Sequence, residues 1–218
     1  MPNKRKMVRR FSTQVIVAHW LNAAAYFILA LTGASLYSEW FDWVIALMGG
    51  PANTRLVHRI FAVVLMLPIL YMLVTDRKSF FHWIKQAFTW KKHDLMFFLH
   101  FPKEFFGGHS KGMPKQDFFN AGEKLNSLLT IFTLAIITLS GTVMWFHDSF
   151  PREMVQWAYF FHDFGFGIGG AVIIGHIFLS LGHPGSKIAM EGMTTGKVPI
   201  EYAKDHHENW YDELKAQR

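Results

Sequence analysis

The sequence predicts an all-α membrane protein, a four-helix transmembrane bundle with both termini in the cytoplasm. Three observations predict it. Four long apolar runs lie at about residues 15–36, 58–74, 125–146 and 157–181, each near the roughly 20 residues that cross a hydrocarbon core about 30 Å thick. The connections between them alternate between many and few basic residues. With these runs, a composition of 51% hydrophobic and 17% aromatic residues over a chain of 218 marks a small membrane protein, one domain spanning 1–218.

The first run follows Lys4, Arg5, Lys6, Arg9 and Arg10. A basic start before an apolar run resembles a signal peptide, but about 22 residues is too long for such an apolar core, so the segment reads as a retained span. The second run contains Pro68, which is expected to kink it. In chain order the segments outside the runs carry five, one, nine, one and five lysines and arginines. Basic residues collect on the cytoplasmic side, so high, low, high, low, high places the connection 75–124 and the tail 182–218 there with the N-terminus.

The net charge of +6 sits beside apolar runs and is no nucleic-acid signature. The chain has no cysteine. That excludes disulfides, cysteine-ligated iron–sulfur clusters and thioether-attached haem. Within the connection, Phe80, Phe81, Trp83, Ile84, Ala87 and Phe88 share one helical face. That reads either as an interfacial helix on the cytoplasmic leaflet or as a face packed beneath a partner subunit. Gly107 to Gly112 reads as a loop.

The fourth span carries the chemistry. His162 and His176 are 14 residues apart; a helix turns through about 1400° over that length, so both imidazoles share one stripe, about 21 Å apart along the axis. Gly169 lies midway on the same stripe. Spans one and two then supply a histidine at each depth. His19 lies near the cytoplasmic end of a span that leaves the cytoplasm, level with His176; His58 lies near the outer end of a span that enters from outside, level with His162. Gly33, 14 residues after His19, and Gly141 fall at the outer level, where a missing side chain lets a flat macrocycle approach the backbone. Two level histidine pairs predict two non-covalent b haems, each held by two imidazoles. The competing readings are ordinary helix packing for the glycines and a non-haem anchor or proton relay for the histidines. Arg59 reads equally as a haem-propionate partner or an interfacial anchor. His82, His93, His100, His109, His206 and His207 are expected to be solvated or interfacial; His147 falls at the outer boundary and His183 just past the fourth span.

Several local patterns are similar to one family. They are Ala18-His19-Trp20, Leu31-Thr32-Gly33, His58, Phe119-Asn120-Ala121-Gly122-Glu123-Lys124, the His162/His176 pair, Glu191 to Val198, and Ala203 to Tyr211 with its His-His-x-x-Trp-Tyr ending. Together they resemble the cytochrome b (gamma) subunit of membrane-bound, quinone-linked respiratory formate dehydrogenases, over essentially the whole chain. The paired histidines alone are shared with cytochromes b of nickel–iron hydrogenases and other quinone-linked dehydrogenases, so that alternative stays open. The resemblance implies a di-haem cytochrome b in the bacterial inner membrane, with His58 and His162 on the outer haem and His19 and His176 on the inner one. It implies electrons arriving from an iron–sulfur (beta) subunit, itself served by a molybdenum- or tungsten-dependent catalytic (alpha) subunit, and leaving to menaquinone or another quinone. The same resemblance places the quinone near His176, Asn120, Gly122 and Glu123, with Glu123 either relaying protons or solvated. It is compatible with a higher oligomer of the complex.

Overall fold

The computed structural model describes residues 5–106, 112–183 and 187–216, the side chain of Glu104 excepted. The loop expected at 107–112 therefore lies outside the described residues, His109 included, except for Gly112. Among the described residues the fold is all-α apart from one small sheet. The helices are α1 (Thr13–Tyr37), α2 (Asp42–Met48), α3 (Pro51–Thr75), α4 (Arg77–Phe88), α5 (Lys92–Phe105), α6 (Ala121–Trp145), α7 (Arg152–Ile177), α8 (Met190–Thr195), α9 (Ile200–His206) and α10 (Glu208–Ala216). Strands β1 (Met7–Arg9) and β2 (Lys197–Pro199) pair antiparallel. Four helices are long and apolar enough to cross a membrane: α1, α3, α6, and α7 with its extension to Gly182.

The spans are longer than the apolar runs that announce them. The second begins at Pro51 rather than near His58. Gly49 and Gly50 take positive φ angles of 79° and 119°, and Pro51 then opens the helix, where its missing N–H is no loss. His58 thus lies two turns inside α3, which runs unbroken through Pro68. The fourth span ends in a π-helical turn, Phe178–Gly182, where the His183 N–H bonds back to the Phe178 carbonyl at 2.9 Å.

The chain divides into two compact units, and each is described by itself. The first comprises residues 13–79 and 135–166. Its α1 buries Ala18, Ala25 and Thr32, spaced by seven, with Ser35. Small residues at that spacing let α1 pack closely on α3, whose Thr54, Leu65, Pro68 and Met72 are buried. Gly165 of α7 is required by packing: a β-carbon there would stand 2.9 Å from the Cγ2 atoms of both Ile136 and Ile137 of α6.

The second unit comprises residues 1–12, 80–134 and 167–218. Here strand β1, near the start of the chain, meets the tail that carries β2. Val8 pairs with Val198 in the sheet, and Val198, Tyr202, Ala203 and Trp210 form a small core against Phe118, Ile188 and Leu214. The face expected on α4 splits in two. Ala87 is buried and the Trp83 indole donates to Ser127 at 3.1 Å, whereas Phe81 and Phe88 are exposed.

Candidate functional site

In the first unit His58 of α3 and His162 of α7 face each other, with ring centroids 6.3 Å apart. Each ring is fitted into a glycine gap on a neighbouring helix. A β-carbon on Gly33 of α1 would stand 3.3 Å from His58 Cε1, and one on Gly141 of α6 would stand 3.2 Å from His162 Cε1. The glycines make room for the imidazoles themselves, whereas their spacing in the sequence suggests room for a macrocycle. The residue before each glycine carries a hydroxyl that reaches the same ring: Thr32 Oγ1 lies 2.9 Å from His58 Nδ1, and Ser140 Oγ lies 3.1 Å from His162 Nδ1. The Thr-Gly and Ser-Gly pairs were in view in the sequence, but nothing local marks which histidine they meet.

The pair fits a haem iron. Two imidazole–metal bonds of about 2 Å, plus roughly 1 Å from each nitrogen to its ring centre, come to about 6 Å, close to the 6.3 Å between the rings. With Nδ1 of each ring engaged by a hydroxyl, Nε2 is the nitrogen left for a metal. Beside the pair, the Arg59 guanidinium lies over the Trp145 ring, 5.4 Å from its centroid.

The other expected ligands are placed as follows. His19 is in α1 of this unit, its ring edge-on to Trp20 at 5.1 Å. His176 is the next-to-last residue of α7, in the other unit. A β-carbon on Gly169 would meet Thr133 at an ordinary 3.7 Å.

The expected quinone residues Asn120, Gly122 and Glu123 form the start of α6 in the second unit. Asn120 Oδ1 accepts the Glu123 N–H at 2.9 Å, and the Glu123 carboxylate accepts the Asn120 N–H at 3.0 Å. This reciprocal cap closes the helix start. Gly122 lets it form, since a β-carbon there would lie 3.2 Å from Asn120 Oδ1. Glu123 also pairs with Arg10 at 2.9 Å. The Arg10 guanidinium donates to the Phe118 carbonyl at 2.7 Å and packs on the rings of Phe11, Phe118 and Trp210.

Next to this cap lies a buried ion cluster that the basic-residue count hid. Lys124, counted above as one of nine cytoplasmic basic residues, is fully buried. Its ammonium donates to Asp94 Oδ1 and Oδ2 at 2.9 Å each and to Asp117 Oδ2 at 3.2 Å, which satisfies all three of its N–H donors. His93, Asp94 and Asp117 offer ligand atoms within 4.8 Å of one another, but the Lys124 ammonium already supplies the cation there. Burial alone would raise the Asp117 carboxyl; hydrogen bonds from Lys91, Asn209 and Lys124 outweigh it and hold the group well below the usual carboxylate range.

His207, expected to be solvated, is fully buried. Its Nδ1 donates to the Asp117 carbonyl at 2.9 Å. Burial, then the nearby charge of Arg10, pushes its pKa down to about 3, so it is neutral at physiological pH. Burial and the Glu123 charge push the Tyr202 hydroxyl up to about 12. The His183 ring stacks on Phe105.

Paired histidines facing across apolar helices fit a membrane-embedded protein of the cytochrome b type. Residues 10–196 match the model of the prokaryotic cytochrome b561 family, and the chain belongs to that family. It is similar to the nitrate-inducible formate dehydrogenase cytochrome b556(Fdn) subunit of Escherichia coli (strain K12), 25% identical over 98% of this chain and 94% of the relative. The cytochrome b556(fdo) subunit of formate dehydrogenase from the same organism is 24% identical over 97% and 95%. The formate dehydrogenase cytochrome b556 subunit of Haemophilus influenzae is 23% identical over 94% and 82%.

Proposed function

We propose that the chain is the cytochrome b subunit of a respiratory formate dehydrogenase complex of the bacterial inner membrane. It would pass electrons from an iron–sulfur subunit on the outer side to menaquinone or another quinone near the cytoplasmic face. The observation that carries the reading is the His58–His162 pair, set at the separation a shared metal needs; the full-length similarity to formate dehydrogenase subunits supports the choice of partner.

In this reading His58 and His162 hold one b haem. His19 and His176, matched by depth along their spans, hold a second. Haem supplies reversible one-electron chemistry when bound, with both axial positions taken by imidazole. Gly33 and Gly141 keep the outer imidazoles close to the neighbouring helices, and Gly169 puts a residue without a side chain midway between His162 and His176. His176 and the Asn120–Glu123 turn receive the quinone, with the Glu123 carboxylate held by Arg10 and the Asn120 N–H. Formate oxidation falls to a molybdenum- or tungsten-dependent catalytic subunit reached through the iron–sulfur partner. Both termini lie in the cytoplasm in this topology, which the alternation of basic residues along the chain supports.

The test is a reduced-minus-oxidised visible spectrum with pyridine haemochrome quantitation on the full chain and on His19→Ala and His58→Ala. Two b haems in the parent, with each variant losing chiefly one, is the expected result. A parent without haem overturns the cytochrome reading, and purification of the intact complex from the native membrane identifies the electron donor.

A further inference from the structure

The two outer histidines are held in the same way by unrelated stretches of chain, and the hydrogen bonds decide where the ring protons are. Thr32 Oγ1 lies 2.8 Å from the Ile28 carbonyl, and Ser140 Oγ lies 2.6 Å from the Ile136 carbonyl. Two oxygens come that close only with a proton between them. A carbonyl has none to give, so each hydroxyl spends its single proton on the carbonyl four residues back. Each hydroxyl therefore turns a lone pair toward the histidine, 2.9 Å from His58 Nδ1 and 3.1 Å from His162 Nδ1. A lone pair facing a ring nitrogen at that distance requires the nitrogen to carry the hydrogen. Nδ1 is protonated in both rings, and Nε2 of both keeps its lone pair.

We infer that Thr32 and Ser140 are positioning residues that fix the tautomer and orientation of His58 and His162, so that Nε2 of each is the iron ligand. The inference rests on the proposed haem-binding reading and deepens it. Each unit of the device is a hydroxyl residue followed by glycine on one helix and a histidine on another: Thr32-Gly33 on α1 with His58 of α3, and Ser140-Gly141 on α6 with His162 of α7. The glycine seats the ring edge, and the hydroxyl holds its Nδ1–H. Such an acceptor raises the basicity of the ligating nitrogen. A more basic ligand favours the ferric state, so the two hydroxyls also lower the reduction potential at this site.

The experiment compares Thr32→Val and Ser140→Ala with the conservative Thr32→Ser and Ser140→Thr in the full chain. Haem content is read by pyridine haemochrome, the two midpoint potentials by spectroelectrochemical titration, and the low-spin ferric signals by electron paramagnetic resonance. The expected result is an upward shift of one potential and a changed low-spin signal for the same haem in Thr32→Val and in Ser140→Ala, with the other haem unmoved. Loosened haem, bound about 10–100-fold more weakly and seen as lowered haem content, is the alternative supporting outcome, provided that the conservative variants restore parent behaviour. Unchanged potentials and signals at full haem content overturn the inference, because the hydroxyls then serve only their own helices. Haem loss shared by the conservative variants also overturns it, since packing rather than the hydroxyl is then what matters. Retention of both haems in His58→Ala would instead sink the haem-site reading itself, so the two failures are told apart.

Discussion

Around His58 and His162 the hydrogen bonds are between neutral groups, hydroxyl to imidazole and hydroxyl to carbonyl, with the charged Arg59 and Asp163 next to the two rings in sequence. Around Lys124 the contacts are ionic: an ammonium on two carboxylates, a second lysine on one of them, and an arginine–glutamate pair at the same helix start. The difference follows the surroundings. A full charge within an apolar span costs several kcal/mol, roughly 3 by insertion scales, so a site there is best assembled from neutral groups. At the start of α6, with β1 and the tail folded over it, charges are tolerated where each meets an opposite charge. Neutral sites tolerate the loss of one contact; compensated ion clusters do not, because each deletion strands the opposite charge.

The largest effect expected from breaking that balance is at the ion cluster. Lys124→Met strands Asp94 and Asp117 in a buried space and is expected to cost about 3–5 kcal/mol, read as a lowered midpoint in thermal unfolding of the purified protein. Replacing Lys124 and Asp94 together by apolar residues of similar volume should recover part of that loss, and a double variant no better than the single one would contradict the ionic account.

A smaller effect is expected at the neutral site. Gly141→Ala brings a β-carbon to 3.2 Å from His162 Cε1, so the ring must give way. The expected cost is about 1–3 kcal/mol, with an altered visible spectrum of one haem at near-parent haem content. An unaltered spectrum would show that the ring needs no such gap.

The smallest effect sharpens the comparison through pH. His207 is neutral when folded, with its pKa near 3, and takes up a proton when unfolded below about pH 6.5. The unfolded chain therefore binds more protons across that window, and stability must fall as pH drops from about 6.5 toward 3, by roughly 1 kcal/mol per unit. Asp117 acts in the same direction only lower down: its depressed carboxyl stabilises above about pH 4 and loses that contribution below it. Unfolding midpoints measured between pH 7.5 and 5 should decline for the parent and stay flatter for His207→Gln; equal slopes would exclude His207 as the source.

Part of this layout follows from the sequence alone. That His162, Gly169 and His176 share a stripe follows from the helical period alone. That four segments are span-like follows from their length and apolarity. The span boundaries were harder: Arg55 and the His58-Arg59 pair made the first two turns of α3 look like a connection, although Gly49, Gly50 and Pro51 mark its true start. The six-residue face of α4 is one surface by helical period, yet Trp83 and Ala87 turn inward while Phe81 and Phe88 do not, a division that propensity cannot make.

The sequence by itself determined the all-α class, the number of span-length helices and which histidines lie on one stripe, because hydropathy and helical period are properties of neighbours in the chain. Only the tertiary structure decided which partner each polar group meets. Thr32 reaches His58 across 26 residues, Ser140 reaches His162 across 22, and Arg10 reaches Glu123 across 113. Arg10, Lys124 and His207 look in the sequence like the solvated charges and imidazole of a membrane protein's basic side. They are buried because strand β1 pairs with β2 and the tail folds over the start of α6, and no local pattern announces that closure.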